Sequence, residues 1–255
     1  MSVLSHLQER ASDAVLTERE KLSIDRSIGN LQQKLDAYFD QDLSKHFRFG
    51  STTRGTNLPR SLDEFADVDY MIVFSDSDKS PQTYLDRLRR FVEANYPRSA
   101  VRQDHPTIVL ELSHIKFDLV PAVESWWSGL QIPDKGGAWQ STDPSAFNRQ
   151  LTDRNSQCDN QLKPAIRLIK CWNANNDYVF DSYMLEKWIV GNLYWGCSNL
   201  RDYVFEIFGD MSPQGGSARD RDRVARAQQR VKAIRALEAA SDFSRAEQEV
   251  SRLIP

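Results

Sequence analysis

Cysteine is scarce in this chain, long apolar runs are missing, and positive charge is not in surplus. The three cysteines, Cys158, Cys171 and Cys197, are odd in number and far apart. They read as reduced, partly buried thiols of a cytoplasmic protein, not as a disulfide framework. No Cys-x-x-Cys pair occurs, which argues against a zinc ribbon. No window reaches the roughly 18 uncharged apolar residues of a membrane helix. Met1 to Gln8 lack the apolar core of a signal peptide. The expectation is a cytoplasmic chain with no membrane partner. Lys and Arg number 33 against 36 Asp and Glu, a formal net charge of −3. Strong general nucleic-acid binding is not expected, because counterion release needs a basic surface. A local basic patch stays open. There is no internal repeat and no low-complexity tract.

What is present is a globular composition. The chain has 255 residues, 40% hydrophobic and 27% charged, enough for one large domain or two lobes sharing a core. Residues 2–45 read as helical. Leu4, Leu7, Ala11, Ala14 and Val15 make one apolar stripe, and Leu22, Ile28, Leu31, Leu35 and Phe39 make a second. Such a long N-terminal element would brace the rest of the fold. Tyr84, Leu85, Leu88, Phe91 and Val92 predict a further helix, closed by Pro97. Thr107 to Leu112 and Ile115 to Val120 predict a β-hairpin joined at Ser113-His114, with Pro121 ending its second strand. Residues 124–144, with Trp126, Trp127 and Trp139, read as a loop-rich crossing. Packing between lobes is the preferred role for these tryptophans, over stacking on a base.

From Asn160 onward the pattern is helical. Lys163, Arg167 and Lys170 align along one side of a helix whose buried stripe is Leu162, Ala165, Ile169 and Trp172. Taken alone, that basic side reads as a solvated face. Asp181-Ser182 is a cap site for the next helix. Residues 219–235 carry Arg219, Arg221, Arg223, Arg226, Arg230, Lys232 and Arg235 beside an apolar stripe. They predict an amphipathic helix with a solvated outer face, able in principle to meet RNA, a protein partner or a membrane surface.

The chemistry concentrates between Phe49 and Phe74. A Gly50-Ser51 turn leads to Asp67-Val68-Asp69 at the head of an apolar strand. Strand alternation puts the two carboxylates on one face and Val68, Tyr70, Ile72 and Phe74 on the other. Side by side they repel unless a cation lies between them. Two readings stand: a Mg²⁺ site for phosphoryl chemistry, or a solvated acidic strand start. Asp118, flanked by Phe117 and Leu119 in a second strand, is costly there unless paired or metal-bound, and is the natural third ligand. No Lys or Arg adjoins the Asp67–Asp69 pair directly, so their repulsion is expected to be uncompensated without metal.

Gly50-Ser51, Asp67-Val68-Asp69, Asp118, the run Leu162 to Asn173 and the run Asp181 to Glu186 together resemble the polymerase-β nucleotidyltransferase superfamily. More closely, they resemble the bacterial CD-NTases, relatives of cyclic GMP-AMP synthase and oligoadenylate synthase that serve anti-phage defence. The resemblance covers roughly residues 45–200. It implies an α+β fold: a polymerase-β-type core with a mixed sheet at residues 46–144, a helical lobe at 145–255, and N-terminal helices at 1–45 packing on both. It implies that Gly50 and Ser51 grip a triphosphate and that Asp67, Asp69 and Asp118 are catalytic and bind two Mg²⁺, for which Mn²⁺ can substitute. Lys170 and Ser182 would contact the phosphate tail, with Lys163 and Arg167 completing a cationic wall. Tyr183 would stack on the donor base. The implied activity joins nucleoside triphosphates into a cyclic or short linear oligonucleotide messenger, with a regulatory partner or an oligonucleotide ligand as a further expected partner. The alternatives are modification of a protein, an RNA end or a small molecule, or a nucleotide-binding module without catalysis. Two departures stand out. Fifteen residues separate Ser51 from Asp67, a long version of this loop that leaves the roles of Arg54, Arg60 and Asp63 open, and the zinc-binding insertion of the animal DNA sensor is missing.

Overall fold

The computed structural model describes residues 2–104, 106–127, 129–213 and 215–255. They fall into two compact units that interleave along the chain. One comprises Met1–Leu16, Leu58–Glu64 and Arg149–Pro255; the other comprises Thr17–Asn57 and Phe65–Asn148.

The N-terminal stretch is two helices, α1 (Val3–Asp13) and α2 (Glu18–Phe39), and the second ends short of residue 45. Thr17 begins the second: its side chain accepts from the Glu20 N–H, and the Glu20 side chain accepts from the Thr17 N–H. Helix α2 stops where Asp40 takes φ 47°. Residues 43–48 then form β1 (Leu43–Arg48), because antiparallel pairing with β2 (Asp67–Phe74) overrides their weak helical pattern.

The second unit is built on a mixed sheet. Its further elements are α3 (Ser51–Arg54), α4 (Pro81–Asn95), β3 (Ala100–Asp104), β4 (Thr107–Glu111), β5 (Lys116–Ser125), β6 (Gly129–Pro133) and β7 (Trp139–Ser141). The strand order is β1-β2-β5-β4-β3, with β6 between the end of β5 and β7. Among the described residues, only β2 and β5 pair in parallel; the other ladders are antiparallel, including the expected β4–β5 hairpin.

Helices α2 and α4 cover one sheet face. Ile28, Leu31, Leu35 and Phe39 from α2 and Tyr84, Leu88 and Phe91 from α4 pack on Val68, Tyr70, Ile72, Phe74, Phe117 and Leu119. Fully burying a side chain of this size contributes about 1.5–3 kcal/mol, so this face anchors both central strands. The opposite face carries a smaller cluster of Met71, Val73, Val120 and Ala122. Alternation therefore puts Asp67, Asp69 and Asp118 on that second face, away from the covering helices.

Two expectations fail here. Pro121 does not end β5, which runs on to Ser125. The ladder to β4 ends at Leu119 and the ladder to β6 begins at Val123, so Pro121 lies between these two ladders. Residues 124–144 are not loop throughout: the end of β5, then β6 and β7, extend the sheet. Trp126 and Trp127 lie at the β5–β6 turn and are each 92% exposed, so they are not packing anchors. Trp139 alone packs inward, its ring centroid 5.6 Å from that of Tyr84.

The other unit is helical: α1, the short segment 58–64, α5 (Ala146–Gln157) from Arg149 on, α6 (Leu162–Ala174), α7 (Ser182–Gly191), α8 (Leu200–Asp210), α9 (Ala218–Ala239) and α10 (Phe243–Leu253). Helix α1 packs against α6, α8 and α10. Leu58 and Leu62 pack with Ala14 and Cys171. Burial pushes the Cys171 thiol up to about 11, so it is an inert apolar filler. Helix α9 keeps the expected exposed basic face, with Arg223 as an exception. The Arg223 side chain is 9% exposed and forms an ion pair with Asp177. Arg219 and Arg226 are exposed, at 74% and 64%, as are Arg221, Lys232 and Arg235.

Candidate active site

The site is assembled around β2. Its first residue pair to β5 is Asp67 with Lys116, and two residues on Asp69 lies directly beside Asp118. In a parallel ladder directly paired residues point to the same side, so three carboxylates and one ammonium share one patch of sheet. The Phe49 N–H donates to the Asp69 carbonyl at 3.0 Å, tying the preceding turn to this strand.

Gly50 stands where no other residue fits. Its φ is +71°, and a Cβ there would lie 1.8 Å from Asp69 Oδ2 and 2.6 Å from Asp69 Cγ. The Asp69 carboxylate is thus packed against bare backbone. From Gly50 the chain enters the single turn of α3. Thr53 N–H and its hydroxyl both donate to the Gly50 carbonyl, at 3.1 and 2.8 Å, and the Thr52 hydroxyl donates to Phe49 O at 3.0 Å. Leading N–H groups of such a turn have no partner within it and suit anionic oxygens. Ser51 heads the turn.

Lys116 corrects the expectation that the acidic pair is uncompensated. Its Nζ lies 3.1 Å from Asp67 Oδ2 and 3.9 Å from Asp118 Oδ1. The absence of a neighbouring cation in sequence did not carry over to space, because Lys116 arrives from another strand. Burial and then the Asp67 charge push the Asp118 carboxyl up to about 6, with Lys116 opposing. Lys116 is itself buried, which favours loss of its proton, but Asp67 and Asp118 outweigh that and raise its pKa.

The side chains suit a divalent cation. Asp118 Oδ1 is buried with no hydrogen-bond partner among the described residues, and a hard oxygen so placed is satisfied by a metal. Among the described residues, no group of three His, Cys, Asp or Glu is gathered tightly enough to enclose an ion. The register supplies a row of donors, with Lys116 among them.

The remaining candidates belong to the helical unit. Lys170 is not on a solvated face: its ammonium is buried and bonded to the buried Glu186 carboxylate at 2.9 Å. Arg167 is half-buried, and burial lowers its pKa. Ser182 and Tyr183 open α7, which Asp181 caps by accepting from the Met184 N–H at 2.8 Å. The Tyr183 ring is 48% exposed. The three residues left open in the long loop are held within their own units. Arg54 lies over the Phe147 ring at 5.1 Å, Arg60 donates to the Glu64 carbonyl, and Asp63 accepts from the Tyr178 hydroxyl at 2.5 Å. The residue that sequence reasoning missed is Lys116. Its signal was a lysine two positions before Asp118, on the same strand face.

A Gly-Ser turn packed under one carboxylate of a parallel β2–β5 pair, in a mixed sheet backed by two helices, defines a nucleotidyltransferase fold of the polymerase-β type. Solved structures share it. CdnC of E. coli MS115-1, solved with ATP, superposes with a TM-score of 0.73 at 17% identity, covering 100% of this chain and 97% of that one. The apo form of Vibrio cholerae DncV gives 0.74 at 12% identity, covering 95% and 91%. The chain belongs to the family described as the Second Messenger Oligonucleotide or Dinucleotide Synthetase (SMODS) domain, whose model matches residues 1–155. A probable cyclic nucleotide synthase of Bacillus cereus (strain VD146) is 28% identical over 190 residues. That match spans 58% of this chain and 56% of the relative's length.

Proposed function

We propose that this protein joins nucleoside triphosphates into a cyclic or short linear oligonucleotide messenger, releasing pyrophosphate, in anti-phage signalling. The observation that carries the reading is the contiguity of Asp69 with Asp118 on one side and with Gly50 on the other. Bare backbone at Gly50 lets a triphosphate approach the carboxylates closely. Asp67, Asp69 and Asp118 are the residues that would hold two Mg²⁺. When bound, these ions would lower the pKa of the attacking ribose hydroxyl and offset charge on the leaving pyrophosphate. The protein's own part is positional. The Gly50-Ser51 turn fixes the phosphates, and β2 and β5 fix the carboxylates on a rigid sheet.

For the helical unit, Lys170 is proposed as a phosphate-tail contact. One of its three N–H donors is used on Glu186. Ser182 and Tyr183 are proposed as contacts to the tail and the donor base, supported by their place in the first turn of α7 and the half-exposed tyrosine ring.

The test is to incubate the protein with all four triphosphates and Mg²⁺ or Mn²⁺ and identify products by mass spectrometry. The expected result is an oligonucleotide with pyrophosphate. Asp69→Asn and Asp118→Asn should each slow pyrophosphate release on the order of a hundredfold or more. Near-normal turnover by Asp118→Asn alone would remove it from the site. Transfer of a nucleotide to a protein, an RNA end or a small molecule would favour the modifying alternative. Nucleotide binding without pyrophosphate release would favour the silent module.

A further inference from the structure

We propose that Lys116 is a resident counter-cation of the carboxylate site, and that it keeps free Mg²⁺ out until a nucleotide arrives. The inference rests on reading the three carboxylates as the metal site, and goes beyond it by assigning a role to a residue that is not a ligand. Residues 116, 118, 120 and 122 alternate onto the same face of β5, and the register sets Lys116 beside Asp67. The ammonium therefore lies between two acids that belong to different strands, 3.1 Å from one and 3.9 Å from the other. Its side chain is 12% exposed, against 30% for Asp67 and 21% for Asp118. At such burial, water screens the acids weakly, and the ammonium supplies the charge balance that a metal would otherwise supply.

Two consequences follow. Free Mg²⁺ has to displace a tethered cation, whose local concentration does not fall on dilution. A triphosphate changes the balance, because it brings several anionic oxygens to the same patch. Lysine suits this role better than arginine: its charge is compact and its four-carbon stem is flexible, so the ammonium can move from Asp67 and Asp118 to phosphate oxygens. Lys116 is thus a positioning residue that couples metal loading to nucleotide binding.

The test follows unfolding temperature against Mg²⁺ concentration, without nucleotide and with a non-hydrolysable ATP analogue. It compares the unchanged protein with Lys116→Met, Lys116→Gln and Lys116→Arg. Without nucleotide, Lys116→Met should respond at about tenfold lower Mg²⁺ than the unchanged protein, because the competing charge is gone. Lys116→Gln should behave likewise, guarding against a folding fault peculiar to one variant. Lys116→Arg should stay near the unchanged protein, and the analogue should narrow the gap. Equal or weaker Mg²⁺ responses in both neutral variants would overturn the role of Lys116 and leave the carboxylate site standing. If no protein responds to Mg²⁺ even with the analogue, the metal reading itself fails, and this proposal with it.

Discussion

Gly50 and Asp69 constrain each other more tightly than any other pair in the site. A methyl group at position 50 would fall 1.8 Å from Asp69 Oδ2, at a backbone φ of +71°. Gly50→Ala must therefore push the carboxylate aside or refold the turn. Misplacing a reacting group by about 1 Å costs on the order of a hundredfold in rate. The stability loss should be smaller, about 1–2 kcal/mol, since one short turn absorbs the strain. Pyrophosphate release and thermal unfolding, measured on the same preparation, check both. An unchanged rate would mean that Asp69 need not sit where it does. At this scale the alternation of Asp67, Asp69 and Asp118 was legible, because period two needs only neighbouring residues. Lys116 was not. Its partnership with Asp67 exists only through a parallel register between strands 49 positions apart, and local sequence does not encode that register.

Among the elements, α9 shows how composition and burial part company. Its arginines looked uniformly solvated, yet the Arg223 side chain is 9% exposed and paired with Asp177, while Arg226 is 64% exposed and paired with Asp222 at 2.9 Å. Arg223→Ala should lower stability by about 1–2 kcal/mol, through lost packing of its stem and a lost charge-assisted bond. Arg226→Ala should stay within about 0.5 kcal/mol, as exposed pairs do. Urea unfolding of the two variants checks this, and equal effects would mean that the burial difference has no energetic meaning. The helices were legible where a full apolar stripe was present, as in α4 with Tyr84, Leu88 and Phe91, or where a cap was, as in α7 with Asp181. The strands β1, β6 and β7 were not, because they are short and half-exposed and are held by a neighbour in the sheet rather than by their own pattern.

The whole molecule is two units that do not follow chain order. Helix α1 belongs with residues 149–255 although α2, four residues later, belongs with the sheet. Val3, Leu7, Ala11 and Ala14 of this N-terminal stretch are buried. Removing residues 2–16 should therefore destabilise the helical unit, on the order of 5 kcal/mol from lost apolar burial. Hydrogen exchange should report it as lost amide protection in α6, α8 and α10, with β2 and β5 spared. Equal loss in β2 and β5 would contradict the division. The same interleaving has a consequence during synthesis. At about 5–20 residues per second, α1 emerges from the ribosome on the order of ten seconds before its partner helices exist. Throughout that interval its apolar stripe has no native surface to cover it, while the β2–β5 ladder can already close. The nascent sheet unit is thus expected to complete first, with α1 held in waiting as a ready target for a holdase chaperone.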